Sequence, residues 1–347
     1  MSAAERGRFF EDFALGEVIE HATPRTITEG DVALYQALYG SRFALQSSAP
    51  FAKELGLDAA PIDDFLVFHV IFGKSVPDIS LNAVANLGYA EGKFLAPVFA
   101  AETLRAQSEV IGLKENSNRK TGIVYVRTTG YNQDELPVLS YARWVMVNKR
   151  DEKSGSPREA IPTLAQTLTA ADLKPPSGHF ERYDFRLAGS QRRWADYAVG
   201  EMIRHGDGQT IEEAEHQLAT RLYQNTAKVH FNAHAQAGSR FGKRLVYGGH
   251  IISIARALSF NGLENAVSIV GLNAGSHVAP SFAGDTIYAW SQVLERTETP
   301  EREDVGFLRL RTVAVKNEAA AFLFRDEGGA YHPSIVLDLD YWVAIPR

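Results

Sequence analysis

One segment of this sequence is written twice. Phe10-Glu-Asp-Phe-Ala-Leu-Gly-Glu-Val-Ile-Glu-His21 returns as Trp194-Ala-Asp-Tyr-Ala-Val-Gly-Glu-Met-Ile-Arg-His205. The register holds through Thr26/Thr210, Ile27/Ile211, Glu29/Glu213, Leu34/Leu218, Leu38/Leu222 and Tyr39/Tyr223. It slips by one at Gly88/Gly271, Ala96/Ala279, Pro97/Pro280, Phe99/Phe282 and Thr103/Thr286, then returns at Gly122/Gly306 and Arg127/Arg311. A period near half the chain length means a duplicated domain, because solenoid units are far shorter. A chain of 347 residues supplies two such domains with a core each. We place them at residues 1–148 and 193–347. Residues 149–192, with Pro157, Pro162, Pro175, Pro176 and mixed charges, form a linker too long for a tether, so it should pack against one domain.

Each copy opens on a short strand-like segment ending in a Gly-Glu turn, followed by extended Thr-Ile residues and an acidic helix start. Leu34 and Leu38 mark one face of a helix from about Gly30, and Leu218 and Leu222 one from about Glu212. A second, apolar helix follows in each copy, at Phe65 to Phe72 and His250 to Leu258. In the latter, Ile251, Ile252, Ala255 and Leu258 form a wide buried face. Alternating or β-branched runs come later, at 103–111, 122–131, 138–147, 286–294, 307–315 and 335–345. Several late strands and one early core helix per copy predict an α+β fold, an antiparallel sheet wrapping a helix.

The bulk numbers remove whole function classes. A net charge of -6 gives no basic footprint for a phosphate backbone, so nucleic acid is not an expected partner. The chain has no cysteine, hence no disulfide, thiolate metal site or cysteine nucleophile. The N-terminus lacks the apolar core of a signal peptide, and the run from Phe65 to Phe72, broken by His69, is too short to span a bilayer. A soluble cytoplasmic protein with no membrane partner is expected.

Chemistry is found where the copies differ. Asn225 stands opposite Ser41 and His230 opposite Gln46, so only the second copy has a titratable imidazole there. Tyr247-Gly248-Gly249-His250 stands opposite Asp63-Asp64-Phe65-Leu66. Glycines at a helix start expose N–H groups on the positive end of the dipole, where an oxyanion is held; aspartates there would repel one. The two aspartates are better suited to capping a helix. His230 and His234 have the spacing of a zinc pair, but position 231 is Phe and no third ligand is evident, so no metal is expected. His250 and His277 read equally well as core residues.

In Asn225-Thr-Ala-Lys-Val-His230, Leu245-Val-Tyr-Gly-Gly249 and Pro280-Ser-Phe-Ala-Gly-Asp-Thr286 the chain resembles the MaoC-like (R)-specific hydratase/dehydratases. The first copy joins the resemblance through Lys93-Phe-Leu-Ala-Pro-Val98 and a degenerate site segment. The resemblance implies a double hot-dog fold, two tandem hot-dog domains with one site in the second. It also implies reversible addition of water to an enoyl-CoA. The Phe-Glu-Asp-Phe-Ala-Leu-Gly-Glu opening and Val-His-Phe-Asn-Ala-His234 are most similar to the branch handling a short, branched, dicarboxylic acyl group.

By the resemblance, the N–H of Gly249 stabilises the thioester enolate and His230 is the base. Asn225 departs from the family's aspartate. An amide cannot act as a base, so Asn225 is read as positioning water, with Glu213 and Asp64 as rival carboxylates. Gly248, Tyr247 and Lys228 are expected to border the substrate, and Lys228 or Arg256 to meet an acyl carboxylate. Arg240, Lys243 and Arg244 are candidates for CoA phosphates. No cofactor is expected, because the thioester already activates the double bond. A homodimer is expected from an exposed sheet edge in each half. The rival functions are a general (R)-3-hydroxyacyl-CoA dehydratase, a hot-dog thioesterase using a carboxylate to activate water, and a non-catalytic acyl-CoA binder.

Overall fold

The computed structural model describes residues 7–155, 157–300, 302–319 and 322–347. Among these, ten strands form one antiparallel sheet: β1 (Val18–Thr26), β2 (Ala83–Phe94), β3 (Thr103–Glu115), β4 (Thr121–Tyr131), β5 (Pro137–Asn148), β6 (Met202–Thr210), β7 (Ser268–His277), β8 (Thr286–Thr299), β9 (Arg302–Lys316) and β10 (Ile335–Pro346). The order β1-β3-β4-β5-β2-β7-β10-β9-β8-β6 is the same five-strand pattern twice, joined where β2 pairs with β7. The inner edges are therefore consumed within the chain, and the exposed edges are β1 and β6. Each half therefore keeps one free edge, at the outer end of the sheet.

Each half wraps its strands around one buried helix, Asp64–Ser75 or Gly248–Leu258. Residues Phe65 to Ser75 of the first are all buried, as an apolar run without a polar face requires. The preceding helices, Glu29–Tyr39 and Glu213–Leu222, pack across the junction. Thr28 caps the first, accepting from the Asp31 N–H, while Asp31 returns the bond to the Thr28 N–H.

The duplication has become a pseudo-twofold axis. Tyr39 and Tyr223, equivalent residues 184 apart, meet hydroxyl to hydroxyl at 2.6 Å. His69 and Ser253, also 184 apart, meet at 3.0 Å. Self-pairing of equivalent residues is the signature of an isologous interface, here inside one chain. The repeated histidines also serve structure: His21 meets Ser108 and His205 meets Ser291, both at 2.7 Å.

Three sequence expectations change. The opening segments are single 3₁₀ turns, Phe10–Asp12 and Trp194–Asp196, and the strands begin only after Gly-Glu. Strands β2 and β7 were not expected. Their glycines, Gly88, Gly92, Gly271 and Gly275, depress strand propensity in the sequence. The segment 149–192 packs against both halves. Leu168, Leu173, Phe180 and Tyr183 bury themselves with Leu45, Phe51 and Leu55 on one side and Val270, Phe307 and Trp342 on the other.

Candidate active site

Two cavities sit at pseudo-equivalent places, and they are unequal. The one in the second half has a volume of about 510 Å³. Asn225, Lys228, His230, Tyr247, Gly248 and His277 border it, together with Phe72, Asn86 and Tyr89 from the first half. Its counterpart, beside Gln46 and Asp64, holds about 200 Å³ and is walled by linker residues Lys174, Pro175 and Pro176. The linker thus occupies space on the first-half side that remains open on the other.

His230 lies on the short helix Lys228–Phe231. Its Nδ1 is 2.8 Å from the Leu245 carbonyl oxygen, which can only accept, so Nδ1 carries the hydrogen and Nε2 presents a lone pair. Burial pushes its pKa down to about 4, against the upward pull of the Leu245 bond. The ring is therefore neutral at physiological pH.

Gly248 and Gly249 begin the second central helix, with Tyr247 as N-cap and no side-chain cap. Neither glycine N–H has a backbone or side-chain acceptor among the described residues. Two N–H groups at the positive end of the dipole are thus available at the start of the helix. Gly248 borders the cavity, and a Cβ there would lie 2.3 Å from the His277 ring. Gly249 packs just behind, the place of its Cβ taken by Tyr247 and His69.

Asn225 is 2 % exposed. Its Oδ1 accepts from the Ala227 N–H at 3.2 Å, which fixes the amide with Nδ2 as the free end. The loop carrying it is pressed against the first half, since a Cβ on Gly73 would fall 1.8 Å from the Tyr223 carbonyl oxygen. Close approach without a side chain is what glycine permits here.

The other candidates separate. Lys228 borders the cavity with an exposed side chain. Arg240 and Lys243 are exposed on the loop beside Phe241, a rim residue. Arg244 bonds Glu213 and Gln217, so it is committed away from a phosphate. Arg256 is buried over the Phe43 ring and donates to the Ala266 carbonyl; it does not border the cavity, which corrects its assignment to an acyl carboxylate. Asp63 caps the first central helix, accepting from the Phe65 N–H, whereas Asp64 reaches across to the Ile269 N–H at 2.7 Å rather than capping.

Neither rival carboxylate reaches the site: Glu213 pairs with Arg244, and Asp64 faces the smaller cavity. No described residue bordering the larger cavity is Asp or Glu. Among the described residues no three His, Cys, Asp or Glu side chains cluster as metal ligands. Also, no helix among them is long and apolar enough to cross a membrane.

Sequence reasoning missed Asn86, Tyr89 and Ser281 and set His277 aside as a residue that could equally be core; all four border the cavity. In the slipped register His277 stands opposite Phe94. That is the same kind of difference between copies that singles out His230, so the signal was present. His277 lies with Nε2 3.3 Å from the Tyr89 hydroxyl, and burial pushes its pKa down to about 4.

The doubled sheet, with a histidine and an uncapped helix start bordering one cavity, is the architecture of the MaoC-like double hot-dog proteins. A protein of Mycobacterium tuberculosis described as having a double hot-dog fold superposes with TM-score 0.77 at 24% identity, over 98% of this chain and 99% of that one. Within that class, residues 1–324 match the family model described as mesaconyl-CoA hydratase, and the chain belongs to that family. It is 59% identical to the β-methylmalyl-CoA dehydratase of Chloroflexus aurantiacus, over 98% of this chain and 97% of that one. The crystal structure of a MaoC domain protein dehydratase from the same organism superposes with TM-score 0.97 at 59% identity, covering 100% of this chain and 99% of that one.

Proposed function

We infer that the chain is a hydro-lyase that reversibly hydrates mesaconyl-CoA (2-methylfumaryl-CoA) to β-methylmalyl-CoA. The family and the dehydratase relative name opposite directions of this one reaction. The observation that carries the residue roles is a neutral imidazole with a free Nε2 lone pair bordering the same cavity as an uncapped helix start.

In the hydration direction, His230 Nε2 takes a proton from water as the water oxygen bonds to the β-carbon. The π pair moves toward the thioester, whose oxygen becomes an enolate held by the N–H groups of Gly248 and Gly249. The enolate then collapses and the α-carbon takes the proton back from His230. One imidazole serves as base and then as acid, which its neutral resting state permits. Asn225 Nδ2 donates to the water oxygen and orients its lone pairs. No cofactor is needed in this scheme, since the thioester polarises the double bond.

A thioesterase would need a carboxylate to activate water, and the absence of Asp and Glu from the described cavity lining disfavours it. A cytoplasmic location and a homodimer belong to the same proposal. The test is the absorbance of the conjugated enoyl-thioester band on incubation with mesaconyl-CoA and with crotonyl-CoA. Loss of the band with mesaconyl-CoA and no free thiol is expected. Faster loss with crotonyl-CoA would favour the general dehydratase, and released thiol the thioesterase.

A further inference from the structure

The described lining of the cavity contains several unclaimed polar groups and no acid. Asn225 Nδ2 has no partner among the described hydrogen bonds, while its Oδ1 is held by Ala227. Asn86, on β2 of the other half, has both amide atoms shielded from water and unpartnered. The Ser281 Oγ is likewise shielded and unpartnered. All three residues border the cavity, and among the described residues Lys228 is the only lysine or arginine that does so. Shielded donors left unpaired are costly unless a ligand satisfies them. A cavity whose described lining offers neutral donors and no carboxylate is suited to an anion.

We propose that Asn225 is the specificity-determining residue that admits an acyl group bearing a free carboxylate on its β-carbon, with Asn86 and Ser281 as further donors to that carboxylate. This rests on the hydratase reading of the site. Water adds to the carbon that carries the carboxylate, so the new hydroxyl and the carboxylate oxygens are neighbours on one atom. The two hydrogens of Asn225 Nδ2 can then serve both, one to the incoming water and one to the carboxylate. A carboxylate side chain at position 225 would instead set two anions against each other in a site of low dielectric, a juxtaposition that rejects ligands strongly. The neutral amide thus selects for the charged acyl group.

The experiment compares mesaconyl-CoA with tiglyl-CoA, which carries a methyl group where mesaconyl-CoA carries its carboxylate. The kcat/KM ratio of the two is measured for the wild type, Asn225→Asp and Asn225→Ala. Asn225→Asp is expected to lower the mesaconyl to tiglyl ratio by about 100-fold or more, and Asn225→Ala by about 10-fold. A ratio within threefold of wild type in both variants, or a rise in mesaconyl-CoA turnover in Asn225→Asp, overturns the proposal. Affinities for the saturated analogues 2-methylsuccinyl-CoA and 2-methylbutyryl-CoA give the same ratio without turnover, so a variant that is folded but inactive still decides. If Asn225→Asp fails to fold, the Asn225→Ala ratio decides by itself. Wild type that binds the anionic analogue more tightly yet leaves mesaconyl-CoA unchanged would sink the hydratase reading and leave the anion selectivity standing.

Discussion

Replacing His230 with alanine is expected to lower kcat by about 10²–10⁴-fold, the usual worth of a positioned acid/base group. KM should change little, because the imidazole acts on the water rather than anchoring the CoA. Melting should fall only modestly, since the ring makes one hydrogen bond, to the Leu245 carbonyl, and one edge contact, with the Tyr247 ring, and borders the cavity. The pH profile sharpens the expectation. A base must be unprotonated to act, and burial holds His230 at about 4, so kcat/KM should be flat from pH 5.5 to 8 with no inflection near 6.5. Steady-state kinetics of His230→Ala on mesaconyl-CoA, with the wild-type pH profile alongside, check both. Turnover within threefold of wild type would remove His230 from the mechanism.

Acid should unfold this protein abruptly, and the cause is its buried histidines. His205 and His250 are 0 % exposed, with pKa values pushed by burial down to about 4 and about 3. His69, equally buried, is lowered by burial in the same direction. In the unfolded chain each titrates near 6.5. Between that value and about pH 4 the unfolded state binds protons that the native state refuses, so stability is complete above 6.5 and falls as pH drops through the window. At roughly 1.4 kcal/mol per pH unit for each group, His205 and His250 each remove about 3 kcal/mol by pH 4.5. That is large against a typical net stability of about 5–15 kcal/mol. Urea unfolding at pH 7 and pH 4.5 should show the midpoint collapse. A loss of under about 1 kcal/mol would mean that these rings are protonated in the folded state.

Much of the architecture was legible because duplication left two readings of each element. The core helices stood out as apolar runs, and the later strands by their alternation. What escaped was the seam. Strands β2 and β7 are held by their neighbours rather than by propensity, and their glycines hide them from pattern reading. The site was half legible for a related reason. His230, Asn225 and Gly248 belong to one copy and differ visibly from their partners in the other. Asn86 and Tyr89 lie in the first copy and reach the cavity only because the two sheets join at β2 and β7. Arg256 was misplaced because a cation in sequence shows its charge but not its depth: it is buried over Phe43, on the side of Asp63 and Asp64.

The central claim is that one of two duplicated modules retains the chemistry, at the junction His230 shares with the start of the second central helix. The most direct measurement is a crystal structure of the protein with 2-methylsuccinyl-CoA, the saturated analogue that cannot be hydrated. The account expects one acyl group per chain, its thioester oxygen within hydrogen-bond distance of the Gly248 or Gly249 N–H and its β-carbon facing His230 Nε2. An acyl group seated beside Gln46 and Asp64, or a thioester oxygen turned away from the glycines, would contradict it.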